Sequence, residues 1–150
     1  SNAVTYSILE RRFSIDSNGN IKLIIAAWFN PSKSWYNKDK ININNSDRVL
    51  LHEQYHFDIC ELYARKIRKF FSTTIFNDSL ANFKRELPIL LNRFYVEYRS
   101  QQERYDEEVK GNSTRFSEWM EAVDNEMKDL KKFTDTSIVI KLKQPISSVK

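Results

Sequence analysis

The chain has 150 residues, enough for one domain whose core needs no disulfide. Hydrophobic residues make up 41% and charged residues 29%, as in an ordinary globular protein. The formal net charge of +4 falls short of the clustered basic footprint of a nucleic-acid binder. Cys60 is the single cysteine, which excludes an internal disulfide, and no run of about 18 apolar residues exists to span a membrane.

Residues 1–3, Ser-Asn-Ala, read as the scar of a removed tag, in which case a signal or anchor would have been cut away with the natural N-terminus. Residues 4–15 are rich in β-branched and aromatic types and predict a strand. Asp16-Ser17-Asn18-Gly19-Asn20 is a turn signal, and the alternation of residues 21–29 predicts a second, more buried strand of a hairpin. A loop follows from Pro31 to Asn45. Ser46 or Asp47 is a plausible N-cap for a helix from Arg48 to Phe71. Asp78 or Ser79 can cap a second helix, which carries Phe83, Leu87, Leu91, Phe94 and Tyr98 at helical spacing and runs to about Glu108. Pro88 predicts a kink or break within it. Gly111-Asn112-Ser113 reads as a stop and a new cap, and a third helix carries Phe116, Trp119, Val123 and Met127 on one face. Residues 137–143 alternate as a third strand beside the hairpin, and the residues from Gln144 read as a loose tail. Two glycines and three prolines suit such long regular elements. The expected fold is therefore α+β, a small antiparallel sheet packed with three main helices in a single domain.

The two histidines of the chain fall in one pentapeptide, His52-Glu53-Gln54-Tyr55-His56, the pattern H-E-x-x-H. On a helix, His52 and His56 lie one turn apart on the same face and can share one Zn²⁺. Glu53, rotated by about 100°, lies beside such a metal, where it can accept a proton from water. On a helical wheel Val49, Cys60, Tyr63, Ile67 and Phe70 fall within about 80° of His52, so both imidazoles point into the core-facing stripe. The bland alternative is a pair of hydrogen-bonded core histidines. Against it stand the helical context, the cost of two unpaired polar rings on an apolar face, and a glutamate at the edge of that face.

The segment Leu50 to Lys66 resembles an uncharacterised bacterial family of predicted zinc-dependent proteases, a domain-of-unknown-function family that is mostly exported and common in Bacteroidetes. Its core pattern is H-E-Q-G-H-F-D-I followed by an acidic residue and Ala-Arg-Lys. Here Tyr55 replaces the glycine. Ser34-Trp35 is similar to an upstream Ser-Trp. Tyr105-Asp106, Glu108 and Trp119 are similar to a downstream Y-D-x-E-T-x-H segment and the tryptophan after it, so that the likeness covers roughly residues 6–133. The resemblance implies a zincin-like fold with the motif on the first long helix, a Zn²⁺ cofactor, a peptide or protein substrate, and export to the periplasm, the envelope as a lipoprotein, or the medium. A second departure bears directly on the metal: the family's downstream histidine falls on Gly111.

A catalytic zinc normally takes three protein ligands and keeps one site for water. With no third histidine, the third ligand has to be a carboxylate, Cys60 or nothing. Glu108, three residues before Gly111, is the candidate, and Glu107 is a close rival. Asp106 or water stays open as well, Asp106 also being able to orient a histidine as an acceptor. Cys60 reads as a small buried hydrophobe. Tyr105 is either a donor to an oxyanion or a core tyrosine, and Asp58 and Glu61 suit pairing with Arg65 or a neighbouring helix. The leading expectation is a zinc metallopeptidase with His52, His56 and Glu108 on the metal and Glu53 as general base, the hairpin aligning the peptide by strand addition. The alternative is a degenerate zincin-like domain that serves as a non-catalytic binding module of the bacterial envelope, motivated by the missing histidine and by Tyr55. A helical domain without metal chemistry is a third.

Overall fold

The computed structural model describes residues 3–40, 42 and 44–143, so the tail expected from Gln144 lies outside the described residues. β2 (Ser7–Ile15) and β3 (Ile21–Phe29) form the expected antiparallel hairpin, paired from Ser7↔Phe29 to Ile15↔Ile21. Asp16 builds its turn: the carboxylate accepts from the backbone N–H of Asn18 and of Asn20, each at 2.9 Å, and Gly19 takes the left-handed conformation at φ 80°. The first strand is not continuous. The hydroxyl of Ser34 accepts from the Tyr6 N–H at 2.9 Å, and the chain before it forms a separate strand β1 (Ala3–Val4). That strand pairs antiparallel with β4 (Trp35–Tyr36), inside the segment the sequence presents as a loop.

α1 spans Ser46–Thr73, starting two residues before the expected helix. Neither Ser46 nor Asp47 caps it. Asn45 is the N-cap residue, and its side-chain oxygen accepts from Asn42 N–H at 2.8 Å rather than from the helix, while Asp47 in the first turn suits the positive end of the dipole. After a short strand β5 (Ile75–Phe76), the Ser79 hydroxyl caps α2 (Leu80–Val109) by accepting from Asn82 N–H at 3.2 Å. Pro88 does not break α2. It and Lys84 lie on the exposed face, where water can take the Lys84 carbonyl that a proline leaves unbonded. Gly111 ends this helix at φ 63°, and Asn112 caps α3 (Ser113–Asp129) by accepting from Arg115 N–H at 3.0 Å. A 3₁₀ turn over Lys131–Phe133 leads to β6 (Ser137–Leu142).

The main sheet has the order β2-β3-β6-β5; β6 pairs antiparallel with β3, and β5 joins it in parallel. α1 is the central element, with the sheet on one side and α2 and α3 on the other. Leu23, Ile25, Ile59, Ile67, Phe71 and Phe83 are at the centre of the core. α2 runs antiparallel to α1. Phe70 meets Phe94 at 5.5 Å between ring centroids, Tyr63 meets Tyr98 at 5.8 Å, and His52 meets Tyr105 at 4.8 Å. Among the described residues no helix is long and apolar enough to cross a membrane.

Among the described residues, one charged side chain lies within this core. Arg68, 1% exposed, donates from Nε to the Ile25 carbonyl of β3 at 2.8 Å and from Nη1 to the Phe133 carbonyl at 3.0 Å. Its charge is met by Glu61, two turns earlier on α1, at 2.8 Å. Glu61 also pairs with Arg65, as its place on the helix suggests. A guanidinium can be buried only when its donors are satisfied, and removing one partner strands the others. Arg68→Met should therefore lower stability by about 3 kcal/mol or more in urea unfolding, and Arg68→Lys should recover only part of it because a single ammonium cannot span three acceptors. A loss below about 1 kcal/mol for Arg68→Met would show that the network contributes little.

Candidate metal centre

His52, Glu53 and His56 lie in the second and third turns of α1, and one ligand atom from each falls within 4.8 Å of the others, a group able to hold a metal ion. Both imidazoles face α2. The nearest acidic atom there is Oδ1 of Asp106, 2.8 Å from Nε2 of His56 and 3.1 Å from Nε2 of His52. In a tetrahedral site with bonds of about 2.0–2.1 Å, neighbouring ligand atoms are about 3.3 Å apart. One carboxylate oxygen thus already stands close to ligand spacing from both rings.

The rings are held from behind. The Gln102 amide nitrogen donates to the His56 backbone carbonyl at 2.8 Å, which turns its oxygen toward His56 Nδ1 at 2.6 Å. A carbonyl can only accept, so the amide orientation is fixed and Nδ1 carries the hydrogen. In neutral His56 the lone pair is then on Nε2, facing Asp106. Two lone pairs at 2.8 Å repel, so this contact needs either a proton on His56 or a cation between the two groups. Tyr105 is fully buried; it stacks on His52 with centroids 4.8 Å apart and lies edge-on to His56 at the same distance. Its hydroxyl donates to the His52 carbonyl at 2.9 Å, so of the two roles the sequence allows, it takes that of a core tyrosine.

Glu53 supplies the other unusual feature. Its Oε2 is buried with no hydrogen-bond partner among the described residues. A carboxylate oxygen in that condition is costly unless a proton, a water or a cation completes it. The group opens onto a cleft of about 650 Å³ that Arg48, Lys110 and Gly111 also line. The hairpin does not serve this cleft as expected. It is the short segment of Ala3, Val4 and Thr5 that runs along it. Gly111 is at the cleft but at φ 63°, a conformation that any side chain there would strain.

Glu108 is not brought to the histidines. It faces α3, where Oε1 accepts from Arg104 at 2.9 Å and Oε2 accepts from Trp119 Nε1 at 2.7 Å and from Arg115. Those donors hold its carboxyl down to about 2, the Arg104 hydrogen bond most of all. The physical reason is helix phase: Gln102, Tyr105, Asp106 and Val109 share the face of α2 that meets α1, and Glu108 is rotated off it. Glu107 is exposed and does not line the cleft. Cys60 is fully buried, and burial pushes its thiol up to about 11, as suits a core residue. Tyr55 does not obstruct the centre. It crosses to α3, where its hydroxyl donates to Asp124 at 2.9 Å; burial first, and then that carboxylate, push the phenol up to about 12.

Burial works against ionisation of Asp106, but hydrogen bonds from His52 and His56 outweigh it and hold the carboxyl well below its ordinary 3.8. Burial likewise opposes a charge on His56, yet Asp106 and Gln102 raise it above its ordinary 6.5. In chelator-treated protein the pair therefore stabilises the fold between these limits. The Asp106 part is present above 3.8 and lost as pH falls through its lowered pKa; the His56 part is present below 6.5 and lost as pH rises through its raised pKa. The urea midpoint should be lower at about pH 8.5 than at about pH 5.5, and Asp106→Asn should flatten that difference. A slope unchanged in Asp106→Asn would remove the pair as its source.

No protein family, curated protein or solved structure matches this chain, so what the centre can do has to follow from its own residues and their geometry.

Proposed function

We propose that the chain is a zinc-dependent metallopeptidase with a zincin-like arrangement, His52, His56 and Asp106 holding the metal and Glu53 serving as general base. The observation that carries this reading is the placement of Asp106 Oδ1 against both Nε2 atoms, at 2.8 and 3.1 Å, beside the unpartnered Oε2 of Glu53. Two imidazoles and a carboxylate are an ordinary donor set for zinc hydrolases. An open cleft lined by an extended segment favours a peptide as the substrate.

Zinc in such a site supplies a Lewis acid that lowers the pKa of a bound water toward about 7 and polarises a carbonyl. The chain's own groups do the rest. Glu53 would accept a proton from an attacking water and return it to the leaving amine nitrogen as the carbon–nitrogen bond breaks. Gln102 fixes His56 with its Nε2 lone pair toward the centre, and Tyr105 fixes the plane of His52. Arg48 and Lys110, which line the cleft, favour a negatively charged group in it.

A second reading has an observation of its own. With His56 protonated, the side chains of His56, Asp106 and Gln102 satisfy one another by hydrogen bonds, as expected of a non-catalytic binding module built on a degenerate site. Zinc content separates the two. Protein supplemented with zinc and then desalted should retain close to one zinc per chain, whereas less than about 0.1 would contradict the enzyme. Glu53→Gln should keep its zinc and lose about 10²-fold or more in cleavage of a casein-type substrate. Asp106→Ala should weaken zinc binding by about tenfold or more while Glu108→Ala leaves it unchanged. The reverse order would return Glu108 to the metal.

A further inference from the structure

Beside the metal cleft lies a second, apolar groove of about 700 Å³, and the two share Glu53, Val49 and the segment of Ala3, Val4 and Thr5 as a common wall. Phe29, Trp35, Tyr36 and Leu50 line it, and each keeps half or more of its surface exposed. Solvent exposure of four large apolar side chains in one place is unfavourable without a use, and such patches mark binding surfaces. Nor is the patch a loose loop. Ser34 pins it, with its hydroxyl donating to the Asn30 carbonyl at 2.6 Å and accepting from Tyr6 N–H at 2.9 Å, and pairing of Val4 with Trp35 sets the position of the indole. The fold thus presents a preorganised aromatic surface within reach of Glu53.

We infer that this groove is the specificity subsite of the same centre and takes a bulky apolar or aromatic side chain of the peptide substrate, next to the scissile bond. The inference rests on the peptidase reading and adds the substrate class to it. Continuity through Glu53 is what selects a peptide side chain over other apolar occupants. A chain lying along Ala3–Thr5 with its carbonyl at Glu53 would project a neighbouring side chain onto Trp35 and Leu50. Aromatic rings and an aliphatic side chain complement an apolar group by area and offer no charge to an ionic one.

The test uses the whole zinc-loaded chain, a mixed peptide library, and Leu50→Glu, which changes an exposed helix position outside the metal centre. Library products should show about tenfold or more enrichment of Phe, Tyr, Trp or Leu at one position beside the cut, and Leu50→Glu should reduce it to about twofold at unchanged zinc content. Cleavage without that preference, or a preference that survives Leu50→Glu, overturns the subsite and leaves the peptidase standing. If the wild type cuts nothing, the peptidase reading fails and the groove is read by binding instead. N-acetyl-phenylalanyl-leucinamide should then change the fluorescence of the wild type, but not that of Trp35→Phe, and N-acetyl-seryl-asparaginamide should change neither. Equal responses to the two peptides overturn the inference. So does concentration-dependent dimerisation that Leu50→Glu abolishes, which would make the groove an interface between copies of this chain.

Discussion

Tyr105 packs against both imidazoles, stacked on His52 and edge-on to His56, with its hydroxyl on the His52 carbonyl. That contact fixes the register of α1 against α2 at the end where the histidines lie, and the rest of the candidate centre follows from it. With Tyr105 in place, Asp106 is carried to both Nε2 atoms and Gln102, one turn earlier, to the back of His56. A slip of one residue would turn Asp106 away by about 100°. The aromatic pairs Tyr63–Tyr98 and Phe70–Phe94 hold the same register farther along, so the precision of the site is inherited from ordinary helix packing.

The other end of α1 is fixed differently. Arg68 joins the helix to the β3 backbone and to the 3₁₀ turn before β6, with Glu61 as its counter-charge. α1 is thus tied to the sheet by a polar network and to the helices by aromatic packing. Glu108 belongs to a third tie, holding α2 to α3 through Arg104, Arg115 and Trp119. Acidic residues two positions apart on one helix thereby do unlike work: Asp106 faces the histidines, and Glu108 is structural.

Much of this could be read from the residues alone. The hairpin, three helices and the last strand follow from period and turn chemistry, and the turn at Asp16 and the cap at Asn112 use the side chains that such positions favour. The pairing of β1 with β4 could not be read, because two-residue strands have no period and depend on the Ser34 contact, which is tertiary. Spacing to Gly111 points to Glu108, but the phase of α2 turns Glu108 toward α3 and brings Asp106 to the histidines. That phase was available: the apolar series Leu87, Leu91 and Tyr98, continued by threes and fours, reaches Gln102, Tyr105 and Val109. A glutamine and the neighbouring Asp106 thus interrupt an inward stripe opposite two histidines. The buried Oε2 of Glu53 has no sequence signature, since it reflects what surrounds the group rather than the group itself.

The proposed centre depends on Asp106 as its third metal-holding group. X-ray absorption at the zinc edge of the loaded protein measures this most directly. It should give two imidazole nitrogens and oxygen donors at about 2.0 Å, with one donor fewer in Asp106→Ala and no change in Glu108→Ala. A first shell unchanged in Asp106→Ala, altered in Glu108→Ala, or containing sulfur at about 2.3 Å would contradict it.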